Sequence, residues 1–266
     1  MIIDKFKKYL DGKSEKTIYE YSLDIRKFLE WKKDKTINQE LLDEYIEDLM
    51  EDLSIVTVNR KINSLNQYLK YLNLPIHLKN KKIQGHTFID DMLSNEDVFR
   101  MYHEADTRTK LIIETLYLTG LRVSEMLQIK IKHINRNEII IKGKGDKFRT
   151  IFIPDGLKES WKRYAEQNNI KDGYLFVGQR GKITRSTVFT SLKNTAEKCG
   201  VDSEKVYCHA FRHLFAKNLD AAGVSYSAGK QLMGHSLGTQ DLYRSFSKKE
   251  LLEVLNNLYQ NLAQYI

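Results

Sequence analysis

Residues 138–153 read EIIIKGKGDKFRTIFI, and this stretch decides the class of fold. Glu138 to Lys142 carries three consecutive isoleucines, Gly143 to Asp146 has the composition of a turn, and Arg149 to Ile153 returns as a second strand. Two β-prone runs joined by a glycine-containing turn make a hairpin, and Pro154, which has no backbone N–H to give a ladder, closes it. Elsewhere only Leu175 to Val177 suggests a short strand. The expected fold is mainly α with a small β-hairpin.

Helical signals surround the hairpin. A helix from Arg108 to Thr119 carries Leu111, Ile112, Ile113, Leu116 and Leu118 and should be largely buried; Gly120 ends it, and a short helix follows from Val123 to Gln128. Ser94 opens an earlier helix with Asp97 as its capping-box partner. Nearer the N-terminus, Ser14 caps a helix with Ile18, Tyr21, Ile25, Phe28 and Leu29 on one side. A second helix begins near Asn38 and has a strongly acidic outer face, and a third runs from Ser54 to Leu72. Periodicity then fails: Pro75 and Gly85 break it, and Lys79, Lys81 and Lys82 form a basic run. The plan read from these shifts is two domains. An all-helical one spans residues 1–75, a linker 76–92, and a mixed, mostly helical one with the hairpin 93–266.

Composition narrows the partners. The 266 residues carry a net charge of +8 and 41% apolar residues, enough for a core and leaning toward polyanions. Cys199 and Cys208 have no metal-ligand spacing and fit a reducing compartment. The opening MIIDKFKKYL is interrupted by charges, so it reads as neither a signal peptide nor a membrane span. Cytoplasm is the expected location.

Five short segments bear chemistry: Arg122 in TGLRVSE, Lys144 in KGKGDK, His209 and Arg212 in HAFR, His235 in MGHS, and Tyr243 in DLYRSF. Singly each has a plain reading. Arg122 can cap a helix, Lys144 can be an ordinary hairpin tip, and Tyr243 is one of 15 tyrosines. The Gly-Lys-Gly lacks the Ser/Thr and helix of a nucleotide loop. His209 and Arg212 lie one helical turn apart and share a face, whereas His213 should point elsewhere and reads as structural. Taken together they offer what cutting a phosphodiester without a metal requires: fixed cations, a nucleophile able to hold the phosphate, and an acid for the leaving oxygen.

In this order, the segments resemble the tyrosine recombinase (phage integrase) family, of the compact Xer-like or mobile-element type. Ser14, Thr17, Tyr21, Asp24, Phe28 and Trp31 look like the first helix of that family's core-binding domain, so the resemblance covers nearly the whole chain. It implies that Tyr243 attacks the scissile phosphate to form a 3′-phosphotyrosyl link, with Arg122 and Arg212 clamping the nonbridging oxygens and His235 donating to them. Lys144 would protonate the 5′ leaving oxygen, His209 would assist proton transfer at the tyrosine, and Glu125 would orient Arg122 or His209. No metal or cofactor is implied. The implied substrate is double-stranded DNA with an inverted-repeat core site, held by a homotetramer acting through a Holliday junction on the bacterial nucleoid.

Arg60, Lys61, Lys70, Lys81, Lys82, Lys147 and Arg149 are the residues read as DNA contacts. The terminal stripe Leu251, Leu252, Val254, Leu255, Leu258 and Leu262 has helical spacing. It either packs on its own domain or is donated to the next subunit, as the resemblance implies. One departure is the interval from His235 to Tyr243, one residue shorter than the family's usual spacing. It leaves an alternative open: a catalytically impaired DNA-binding or architectural protein on the same fold. A shifted nucleophile is less favoured, because the candidate substitutes Tyr226 and Tyr207 do not follow the right histidine. A monomeric relaxing topoisomerase is a third option.

Overall fold

The computed structural model describes residues 2–82, 92–142, 148–234 and 246–265. Lys144, Lys147, His235 and Tyr243 lie outside the described residues. The chain divides into two compact units, Met1–His86 and Thr87–Ile266.

Helices α1 (Ile2–Tyr9), α2 (Glu15–Lys32), α3 (Gln39–Asp52) and α4 (Ile55–Tyr71) build the first unit. Ser14, Asn38 and Ser54 cap the last three by accepting from Thr17, Leu41 and Thr57 backbone N–H groups. The sequence reading gave α1 no role. Its Phe6 is fully buried, edge-on to Tyr68 at 5.2 Å between ring centres. Phe28, Leu42, Ile46, Val58, Ile62 and Leu69 complete the same core.

Two asparagines on α4 hold the chain that follows it. Asn66 exchanges hydrogen bonds with the backbone of Leu78 (2.9 and 2.8 Å), and Asn59 does so with Lys81 (2.9 and 2.7 Å). Leu78 is buried in the core of this unit. The stretch read as the start of a linker is therefore fastened along α4, because side-chain amides there satisfy its backbone.

The second unit is organised on α6 (Thr107–Thr119), which packs against α5 (Asn95–Glu104), α8 (Asp155–Gln167), α9 (Arg185–Lys198) and α10 (Cys208–Ala221). Every residue from Leu111 to Thr119 is buried, as expected of a helix apolar on all sides. The Ser94–Asp97 capping box is present at the start of α5. A short α7 (Val123–Met126) follows α6. Strands β1 (Glu138–Lys142) and β2 (Phe148–Phe152) pair antiparallel, from Glu138 opposite Phe152 to Lys142 opposite Phe148. Ile139, Ile141 and Ile151 face the core. Of the short strand expected at 175–177, Leu175 and Phe176 are core residues, and pairing falls on β3 (Val177–Gly178) and β4 (Gly181–Lys182).

Helices α11 (Tyr226–Met233) and α12 (Lys248–Leu262) complete the unit. Leu251, Leu255, Leu258 and Leu262 of α12 are buried in the core of their own unit. At roughly 1.5–3 kcal/mol per leucine, their transfer from water is worth about 6–12 kcal/mol before ordering costs. Among the described residues, no helix is long and apolar enough to cross a membrane.

Candidate active site

The site begins where α6 stops. Gly120 takes the left-handed conformation (φ 57°), and a Cβ there would run into the Phe215 ring, so both backbone angle and space require glycine. The turn delivers Arg122 to the start of α7. Glu125, one turn on, reaches back: Oε2 accepts from the Arg122 backbone N–H at 2.8 Å, and Oε1 accepts from Arg122 Nη1 at 3.0 Å.

A second arginine comes from the hairpin. Arg149 on β2 donates from Nη2 to Glu125 Oε2 at 2.6 Å and from Nη1 to the carbonyl of Met233, the last residue of α11. The third, Arg212 on α10, is 2% exposed and donates to two carbonyls, Gly120 at 2.7 Å and Met233 at 2.6 Å. One carbonyl at a helix C-terminus, where the peptide dipoles leave partial negative charge, thus receives two guanidinium groups. Gly234 follows in the left-handed conformation (φ 63°), and a side chain there would overlap Arg149.

Two guanidiniums bond one carboxylate and a third, Arg212, is close enough to sense its charge, so the cluster keeps positive charge to offer an anion. Burial alone would raise the Glu125 pKa. The Arg122 N–H, the charge of Arg149 and the bonds from both arginines outweigh it and hold the group below the usual carboxylate value. Burial, then the neighbouring Arg149 and Arg122, pushes Arg212 down to about 10, against the pull of Glu125. It remains charged at neutral pH.

His209 lies one turn before Arg212, exposed at the rim. Partial desolvation, then His213, Arg212 and Arg122, lowers its pKa, so the imidazole is neutral near pH 7 and able to accept a proton. His213 is not an interior residue. It is exposed, with its ring edge-on to His209 at 4.6 Å.

The structure thus brings Arg122, Glu125, His209, Arg212 and Arg149 together. Lys144, His235 and Tyr243 lie outside the described residues, but residues flanking them are tied down by hydrogen bonds. Gln128 binds the Lys142 backbone through both its amide nitrogen (2.9 Å) and oxygen (3.3 Å). Met233 is held by two arginines, and the Phe246 N–H donates to Gln231 Oε1 at 3.0 Å.

A model of the phage integrase family matches residues 91–248, and one of the phage integrase N-terminal SAM-like domain matches residues 3–74. The chain belongs to the phage integrase family. As a member it is a tyrosine recombinase, and it is similar to curated proteins of that name. Tyrosine recombinase XerA of Pyrococcus furiosus is 33% identical, across 98% of this chain and 96% of the relative. A tyrosine recombinase of Thermosipho africanus is 29% identical across 97% and 99%. Among solved structures, the fold resembles XerH recombinase bound to palindromic difH substrate in a post-cleavage complex (TM-score 0.70, 23% identity, 89% of this chain, 78% of that one). It also resembles a lambda integrase tetramer bound to a Holliday junction (TM-score 0.73, 16% identity, 93% and 77%).

Several residues of this tyrosine recombinase sit otherwise than the sequence suggested. Arg149, read as a DNA contact, has a side chain only 10% exposed and is engaged by Glu125 and Met233. Lys61, read the same way, is nearly buried, its ammonium 3.0 Å from Asp24 Oδ1. Arg60 is half-exposed but grips the same carboxylate with both Nη atoms. Ser64 also donates to Asp24, so the carboxylate is a buried hub for three side chains. Lys70, Lys81 and Lys82 remain exposed on the first unit. Glu125 takes its described bonds from Arg122 and Arg149, and none from His209. Gln128 and the Met233 carbonyl were missed. Gln128 offered a weak signal, one turn beyond Glu125, and a backbone carbonyl offers none.

Proposed function

We propose that this tyrosine recombinase cuts and rejoins double-stranded DNA at an inverted-repeat core site, through a covalent 3′-phosphotyrosyl intermediate on Tyr243. The observation that carries this reading is the arrangement of Arg122 and Arg212 around Glu125 and the Met233 carbonyl. Fixed acceptors set the plane of each guanidinium before any phosphate arrives. A preset cationic pocket costs no reorganisation as charge builds in the transition state.

The remaining roles follow the chemistry. Tyr243 attacks phosphorus while its proton passes to the neutral imidazole of His209; the bond to the 5′ oxygen breaks, and Lys144 supplies that oxygen's proton. His235 donates to the phosphate. The phosphotyrosine conserves the energy of the broken bond, so a free 5′-hydroxyl on another strand reverses the step without ATP. We assign Glu125 to orienting Arg122, on the strength of its two bonds to that residue.

Recombination joins two duplexes, so we place the working enzyme as a homotetramer at a Holliday junction, in the cytoplasm. A donated α12 would close a ring of subunits. Its leucine stripe would have to leave the seat it has here for an equivalent one on a neighbour, which is feasible only if little apolar surface stays wet during exchange.

The test is to express the wild-type chain and Tyr243→Phe in bacterial cells, trap covalent protein–DNA adducts under denaturing conditions and sequence the attached DNA. Adducts at a few inverted-repeat sites, absent with Tyr243→Phe, are expected. DNA bound specifically by both proteins with no adduct from either would instead establish a binding protein on this fold.

A further inference from the structure

We propose that Arg149 is a positioning residue for strand cleavage: its guanidinium clasps together the three segments that carry Arg122, Lys144 and His235. This rests on the recombinase reading above and assigns a task to a residue outside the reacting set.

The geometry is specific. Arg149 lies on β2, five residues after Lys144 in the sequence. One Nη donates to Glu125, whose other oxygen holds Arg122. The other Nη donates to Met233, two residues before His235, where Arg212 also donates. Gly234 provides the room, since a Cβ there would overlap the Arg149 side chain. Gln128 ties the opposite strand, at Lys142, to the end of α7. Among the described residues, both strands of the hairpin are thus tied to the segment that carries Arg122, β1 through Gln128 and β2 through the Arg149 guanidinium.

Two consequences follow. Glu125 divides its negative charge between Arg122 and Arg149, which leaves Arg122 less neutralised than it would be in a simple pair. A cation at position 149 thereby preserves the attraction of Arg122 for phosphate. Arg149 also fixes the distance between β2 and the end of α11, on which the Arg122 and Arg212 clamp is built. Misplacement of reacting groups by about 1 Å costs on the order of 100-fold in rate. Lysine keeps the charge but presents one donor centre in place of a fork, so it reaches one acceptor at a time.

The test compares Arg149→Met and Arg149→Lys with wild type, using the duplex recovered from wild-type adducts. That duplex is nicked beside the cleavage point so that the cut is not reversed. Arg149→Met is expected to lower the first-order rate of phosphotyrosyl formation about 10- to 100-fold, with DNA affinity within about threefold of wild type. Arg149→Lys should recover part of that rate. Arg149→Met combined with Glu125→Gln should lose less than the product of the two single losses, because the residues act as a unit. Unchanged cleavage in Arg149→Met, or a loss of affinity equal to the loss of rate, would overturn the proposal; the second result would make Arg149 a DNA contact after all.

A readout without DNA separates this from failure of the recombinase reading. Urea midpoints of the same single and double variants should also be non-additive. If wild type forms no adduct but the midpoints are coupled, the clasp stands and the assignment to cleavage falls. Additive midpoints overturn the clasp itself.

Discussion

Glu114 gives a quantitative test of the interior of the second unit. It lies on α6, 4% exposed, and its Oε1 accepts from Ser160 Oγ at 2.6 Å. It borders a cavity of about 150 Å³ whose ionisable neighbours are Tyr102, Lys110, Arg163 and Tyr164, while Tyr259 of α12 is close enough to sense its charge. Burial pushes its pKa from 4.5 up to about 7, although the Ser160 bond and Arg163 pull the other way. At roughly 1.4 kcal/mol per pKa unit, that gap corresponds to about 3 kcal/mol. Between the two values the folded chain holds a proton that the unfolded chain has released, so this group's contribution to stability declines as pH rises from about 4.5 to about 7 and is level above it.

Glu114→Gln keeps an oxygen to accept from Ser160 and cannot ionise. Its stability relative to wild type should therefore improve by about 2.5 kcal/mol between pH 5 and pH 8, the rest of the gap lying below pH 5. Urea unfolding at several pH values measures this. Trp161 is a local probe, fully buried and bonded to Thr115 through its indole N–H at 2.9 Å. A Trp31→Phe background removes the other tryptophan. A stability difference that stays flat from pH 5 to pH 8, or one that favours wild type at high pH, would refute this account of Glu114.

Other outcomes follow from single contacts. Asp24→Asn strips the carboxylate from beneath Arg60, Lys61 and Ser64 and leaves Lys61 buried without a counter-charge, so thermal or urea unfolding of the first unit should show a loss of about 3–5 kcal/mol. Burial opposes ionisation of Asp24, but bonds from Arg60, Ser64 and Lys61 win and lower its pKa below 3.8, so its contribution is present above that value and fades as pH falls through the folded pKa. Gly156→Leu drives a side chain into the space held by the Tyr259 ring, and hydrogen exchange over Lys248–Leu262 should rise as α12 loosens. Partial desolvation and the cations around His209 lower its pKa, so the wild-type cleavage rate should climb with pH through a value below 6.5, a limb that His209→Gln should lack.

The sequence by itself determined what short-range physics encodes. Ser14, Asn38, Ser54 and Ser94 announce helix starts because a cap is satisfied within three residues, and the hairpin is written in one β-prone run, a turn and another. The family was legible because its motifs keep their order along the chain. Folding alone decided where side chains with long, flexible stems end up. Lys61 and Arg149 look like surface cations in the sequence, yet each finds a buried carboxylate far along the chain, Asp24 for one and Glu125 for the other. No periodicity marks the Met233 carbonyl as the acceptor for two arginines, since every residue has a carbonyl and only packing selects which is left open at a helix end. The same holds for α12: its stripe shows that a face must be buried, and only the tertiary structure supplies the surface that buries it.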